Sequence, residues 1–415
     1  MRLPCWLPLF LSLALMLSAA GSGTAQTPAA AAPTRVLVLG VDHAVQLVSE
    51  ADQPGMLAAF IEKVSPSAIC VERAPEPYAR GDHYEFTYEI QDIVLPYASQ
   101  HGIEICPFDW EPSREDQLLG WGMLISDPPE VRAKEGFQGF LSFPKPETLR
   151  RGLFEADRRE SLAEVDAWIR NPPEQASRDL PRRMYLYRTF MQARRISAAA
   201  RQRPGQTLLV VVGEYHKYDI EAILADEPAI QIVQPSSVGR PETADAKRLT
   251  RREHRIAIAN FNLLGAQAGT GNVNWDWVAR VLDALELERQ DAETALLRTR
   301  HAVLTKQIDA AAAIERYRSI ASDPAARTMP TWNGVRDRNR VDSYFDPFGN
   351  LRIDQRARVE MAREHYLRGD TERADAELPL LQAELKLRPA RQLTGYWRRD
   401  LMPPLPGDAS KGPGR

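Results

Sequence analysis

The sequence predicts an α/β fold: a mostly parallel sheet with crossover helices, a helical insertion or lid, and a mainly helical carboxy-terminal region. Three observations predict it. Short runs rich in Val and Leu alternate with helix-periodic segments, the pattern of parallel strands joined by crossovers. Two of these runs end alike, VLVLGVDH at 36–43 and LLVVVGEYH at 208–216, each closing on Gly-x-x-His. After Pro241 the chain turns helical and highly charged.

The first residues read as a targeting segment. Arg2 gives a positive start, Leu7 to Leu17 is an apolar stretch too short to span a membrane comfortably, and small residues follow. A secretory signal over 1–25 is expected, cut near Ala25 with Ala20 the alternative. Its removal leaves no stable membrane insertion, so the protein is expected to be periplasmic or secreted. Residues 26–34 are an Ala/Pro-rich flexible leader.

The α/β domain is expected over 35–236. Its strands are Val36–Leu39, Ala68–Val71, Ile103–Phe108, Thr207–Val212 and Ile230–Gln234. Between them Pro54–Val64 carries apolar residues at helical spacing, and so does the stretch from about Tyr84 to His101. From 111 to 205 prolines punctuate helical segments: Asp127-Pro128-Pro129, Pro144 to Pro146, and Asn171-Pro172-Pro173. This is the helical insertion, ending in a long helix, Leu180–Arg201. A short helix, Lys217–Leu224, leads to the fifth strand. Residues 237–400 form the helical carboxy-terminal region, with amphipathic helices at Trp275–Leu287 and Ala292–Ser319 and a loop over Pro330–Asn350. At Ala357–Pro389, a turn at Gly369-Asp370 suggests a helical hairpin like one tetratricopeptide repeat. A disordered tail covers 401–415.

Charge is nearly balanced, 53 Lys+Arg against 56 Asp+Glu, a formal net of −3. No basic excess exists to neutralise phosphates, so nucleic acid is not the expected partner. Walker, G-x-S-x-G, H-E-x-x-H and C-x-x-C motifs are absent. Cys5 leaves with the signal. Cys70 and Cys106 fall in buried strands, where an exported context permits a disulfide and a pair of small hydrophobes is equally ordinary.

Open α/β sheets bind ligands at the carboxyl ends of their strands. Four chemistry-bearing residues collect there: His43, Glu72, Asp109 and His216. Asp42 and Glu214 adjoin them in sequence, and the second crossover helix adds Glu85 or Glu89. His and carboxylate residues on one rim suit two tasks. They can hold a divalent ion (Mn, Zn or Co) with an open position for water, His43, His216, Glu72 and Asp109 being the candidate ligands. They can also act directly, a His as general base and a carboxylate orienting it. Arg73 and Arg194 are candidates to clamp a substrate carboxylate or oxyanion. The remaining histidines, His83, His101, His254, His301 and His365, lack such support and read as solvated or structural.

The order Gly-x-x-His, AICVER at 68–73, a helix glutamate in YEFTYEIQDIVLPYASQHGIEICPFDW at 84–110, and a second Gly-x-x-His resembles the TraB/GumN/Tiki group. That group belongs to a wider superfamily with the erythromycin esterases and the ChaN-type haem-binding proteins. The resemblance covers roughly 35–235. It implies a polar cleft where the two histidines meet, and metal-dependent peptidase or His/Glu esterase activity on a peptide or small ester or amide. Haem or small-ligand binding without catalysis is the alternative. Carried over, His43 and His216 are the paired histidines, Glu72 the family glutamate, and Glu89 the helix glutamate, with Glu85 competing. The family arginine falls at Arg188, Arg194 or Arg195. Asp109-Trp110 departs from the group's Asp-Arg.

Overall fold

The computed structural model describes residues 32–126, 139–335, 337 and 339–403. The expected signal, most of the expected leader, the Asp127-Pro128-Pro129 stretch and residues 404–415 lie outside them.

Side chains along a strand point alternately to opposite faces, and the strands here are apolar at every step. Leu37, Leu39, Val41, Ile69, Val71, Leu209 and Val211 enter one core. Val36, Val38, Ala68, Cys70, Leu208, Val210 and Val212 enter another on the opposite face. Such strands require cover on both sides, which is the condition of a parallel sheet. The five strands are β1 (Thr34–Val41), β2 (Ala68–Val71), β3 (Glu104–Pro107), β4 (Thr207–Gly213) and β5 (Ile230–Ile232). They pair in parallel in the order β3-β2-β4-β1-β5. The α/β fold class read from the sequence is therefore the fold observed.

β4 is the last but one strand in sequence yet lies at the centre, between β1 and β2. The chain leaves β1, skips a position to make β2 and β3, and fills the gap only after the insertion. Residues that follow β1, β2 and β4 thus meet at one rim.

One face is covered by Leu180–Arg201 and Lys217–Ala225, through Ala193, Ile196, Ala200, Ile220 and Leu224. The other is covered by Pro54–Val64 and, beyond it, by the carboxy-terminal helices. Phe261, Trp277, Leu296, Ile314 and Met361 belong to the same cluster as Leu37 and Leu39. The boundary expected at 236/237 divides the chain but not this core. Asn262 fixes the contact by donating from Nδ2 to the Leu47 carbonyl at 2.6 Å. A third cluster, with Val359, Ala362, Tyr366, Ala374, Leu381, Leu393 and Trp397, closes the final helices on one another. Leu401 is buried against it, so ordered structure runs past the expected start of the tail.

Two expected helices differ. The stretch expected as a helix from Tyr84 begins at Glu89, with a π-helical turn (Glu89–Val94) before Leu95–His101. Ahead of it Gln91 Nε2 binds the carbonyls of Tyr84 and Glu85, and Thr87 Oγ1 binds that of Tyr84. These bonds hold a tight turn where a helix would continue. The expected Ala292–Ser319 helix is two, Ala292–Leu304 and Ala310–Ser322. Lys306 takes a left-handed conformation (φ 58°) between them, and Asp309 caps the second helix by accepting the Ala312 N–H at 2.8 Å. Cys70 and Cys106, opposite each other in the β2–β3 register, form a disulfide.

His254 is buried in the carboxy-terminal helical layer, its Nδ1 accepting the Arg251 N–H at 3.3 Å and its Nε2 3.2 Å from the Asp92 carbonyl. Burial, then the Arg251 charge, pushes its pKa down to about 3. The unfolded imidazole takes a proton near pH 6.5, so the folded chain binds fewer protons between these values and loses stability as pH falls through that window. A His254→Asn variant should lose less stability between pH 7 and pH 4.5 than the parent, as read from urea midpoints.

Candidate functional site

Gly213 ends β4 between the carboxyl ends of β1 and β2, and everything at the rim is built around its bare backbone. Its N–H donates to Glu72 Oε2 at 2.6 Å. A Cβ on Gly213 would stand 2.8 Å from His43 Nε2 and 3.3 Å from Glu72 Oε2. The glycine of the second Gly-x-x-His is there for close approach. The first, Gly40, is similar: a Cβ would meet Ala156 Cβ at 2.7 Å and Glu214 Cα at 3.0 Å.

The two histidines meet at Glu72. His43 Nε2 lies 3.7 Å from Glu72 Oε2, and His216 Nε2 lies 3.6 Å from Glu72 Oε1. Their other nitrogens differ. His43 Nδ1 is 2.8 Å from Glu89 Oε1, while the second Glu89 oxygen accepts the Ala44 N–H at 3.1 Å. Glu89 is fully buried, and the π turn beginning at this residue aims it at β1. Glu85 points elsewhere, into an ion pair with Arg340. Burial acts to lower the His43 pKa, but Glu89, through charge and hydrogen bond, and then Glu72 and Asp42 outweigh it and raise it to about 9. His43 is an imidazolium at neutral pH.

His216 Nδ1 instead lies 2.6 Å from Thr189 Oγ1. That hydroxyl spends its own proton on the Tyr185 carbonyl at 2.9 Å, so it accepts from His216 and fixes the proton on Nδ1. Nε2 is left with its lone pair. The Tyr185 ring stacks on the imidazole at 4.6 Å between centroids. Burial pushes the His216 pKa down to about 4; it is neutral at pH 7.

Arg188 lies behind Glu72. Its Nη2 donates to Glu72 Oε1 at 2.9 Å and to Asp109 Oδ2 at 2.6 Å, and its Nε to Asp109 Oδ1 at 2.8 Å. Tyr84 Oη and Gln192 Nε2 complete the shell of Asp109, at 2.5 and 2.8 Å. Burial would raise the Asp109 pKa; Arg188, Tyr84 and Gln192 together hold it at about 2. Arg188, not an ion, occupies the position between Glu72 and Asp109, and both Asp109 oxygens are committed. The four-ligand set His43, Glu72, Asp109 and His216 does not fit a metal in this arrangement. Among the described residues no group of three or more His, Cys, Asp or Glu side chains is placed to hold one.

Of the two arginines expected as clamps, neither faces the histidines. Arg73 is buried over the Tyr84 ring at 4.0 Å and donates to the Asp82 carbonyl and Glu111. Arg194 lies on the outer face of its helix and pairs with Glu227. Arg195 donates to the Asp109 carbonyl. Arg151 was missed: it pairs with Glu214 and stands 3.7 Å from Asp42, and no periodicity marks it. Tyr185, Arg188, Thr189 and Gln192 carried a usable signal. They occupy the stripe of Leu180–Arg201 that continues as Ala193, Ile196 and Ala200, so a buried helix face turns polar just where it reaches the rim.

Beside this group a cleft of about 460 Å³ is bounded by Asp42, Glu214 and Tyr215 on the sheet side and by segments of the insertion on the other. No family model, curated protein or solved structure matches the chain. No helix of the described residues is long and apolar enough to cross a membrane.

Replacing Arg188 by Ala leaves two buried carboxylates without their cation. This should cost on the order of 3–5 kcal/mol, measured by chemical denaturation, whereas Arg194→Ala should change stability by less than about 0.5 kcal/mol. Gly213→Ala should keep the fold and displace His43, seen as a changed imidazole titration by NMR.

Proposed function

We propose that this chain is an exported hydrolase of an ester or amide bond, in which two histidines of opposite protonation share one carboxylate. What carries the reading is that both Nε2 atoms face the two oxygens of Glu72, one imidazole pushed to about 9 and the other to about 4. Paired groups whose environments drive their pKa values apart are the mark of an acid and a base.

His216 is the base. A water bridging His216 Nε2 and Glu72 Oε1, acceptors 3.6 Å apart, gives its proton to His216 as it attacks the substrate carbonyl. His43 is the acid: its imidazolium stabilises the developing oxyanion, then protonates the departing oxygen or nitrogen as the C–O or C–N bond breaks. The proton taken by His216 is then released to solvent and His43 is reprotonated from solvent, which restores both imidazoles to their starting states. Water is consumed, and the products are a carboxylic acid and an alcohol or amine. Glu89 holds His43 charged, Thr189 holds the His216 tautomer, and Arg188 holds Glu72. The Cys70–Cys106 disulfide suits an oxidising compartment outside the cytoplasm. A haem reading is less well supported, because both His43 nitrogens face carboxylates and the neighbouring cleft is lined with charge.

The test is hydrolysis of a panel of aryl esters and peptide amides by the mature protein. His216→Ala should lower kcat by roughly 10²–10⁴-fold, and unchanged turnover would overturn the reading. Activity should follow a bell-shaped pH profile, rising as His216 deprotonates near pH 4 and falling as His43 deprotonates near pH 9. Activity should also survive chelation. Stoichiometric Mn, Zn or Co in the parent, absent from both His43→Ala and His216→Ala, would instead assign water activation to an ion.

A further inference from the structure

We infer that the bond cleaved lies next to a positively charged group of the substrate, an amine or guanidine of the kind carried by a basic peptide. This rests on the hydrolase reading and names its substrate class. The cleft beside the histidines touches the site at Asp42, which precedes His43, and at Glu214, two residues before His216. Its volume, about 460 Å³, is that of a ligand pocket. Five carboxylates line it, Asp42, Glu147, Glu160, Glu164 and Glu214, against Lys145 and Arg151. Arg151 is spent on Glu214 and Asp42. Glu147, Glu160 and Glu164 make no ion pair among the described residues and reach the surface from the insertion wall. Tyr215, a residue 55 % exposed, forms part of the wall and offers an aromatic group of the kind that attracts a cation. An anionic substrate would meet unpaired carboxylates at the entrance, while a cationic one would be drawn toward the histidines.

Matched 4-nitrophenyl esters of N-acetyl-lysine, N-acetyl-norleucine and N-acetyl-glutamate, offered to the full mature chain, test this. The lysine ester should show kcat/KM about tenfold above the norleucine ester and the glutamate ester should fall below both, with the lysine advantage shrinking as salt rises. In a Glu160→Gln/Glu164→Gln variant the lysine-to-norleucine ratio should move toward one. Calorimetric binding of N-acetyl-lysine methylamide against N-acetyl-norleucine methylamide separates the two claims. Hydrolysis without charge preference in either assay overturns the inference and leaves the hydrolase reading standing. Preferential binding of the lysine compound without hydrolysis of any ester supports the cationic site and overturns the hydrolase reading. Equal binding of both amides with no hydrolysis overturns both.

Discussion

Two carboxylates sit with their charges almost fully removed from water at the rim of this sheet, and one guanidinium makes that arrangement tolerable. Arg188 bonds both Asp109 oxygens and one of Glu72. Without it, two buried carboxylates would be left without a countercharge, and Glu72 would lose the bond that fixes it between the two imidazoles. Because Arg188 comes from the insertion and the acids from β2 and the segment after β3, the bond also ties the insertion to the sheet. The helix that brings Arg188 brings Thr189 and Tyr185 with it, and these define the state of His216.

The two Gly-x-x-His motifs look equivalent as strings, yet their histidines differ by about five pKa units, one near 9 and the other near 4. Within either motif only Asp42 contributes, as a minor influence raising the His43 pKa. His43 is held charged chiefly by Glu89 from the π turn, whereas burial, with the Tyr185 ring stacked on it, keeps His216 neutral. Local sequence places a ring at a strand end; a distant segment decides whether the ring carries a proton.

What could be read beforehand follows the same division. Strand positions and most helices were legible because apolar runs and helical periods are local, and Ala68–Val71, Pro54–Val64 and Leu180–Arg201 have the bounds their residues suggest. His43, Glu72 and His216 were legible as a group because the ends of parallel strands share a rim. The choice of Arg188 over Arg194 and Arg195 was not, since it depends on which face of one helix meets β2 and β3. Nor was the ion pair of Asp109 legible, for the same reason: a strand-end carboxylate reads as a candidate ligand until the cation beside it is found. Nor could charge patterning show that helices after Pro241 share a core with β1, because their buried faces match those of any self-contained bundle.

That shared core bears on how the chain is made. Leu37 and Met361 belong to one hydrophobic cluster, so the core around the earliest strand is not complete until the helix at Ile353–Leu367 has been synthesised. Contacts this distant along the chain form late. β4, the central strand, is itself delayed until the insertion has been translated. For much of its synthesis, then, the nascent chain holds only unfinished sheet.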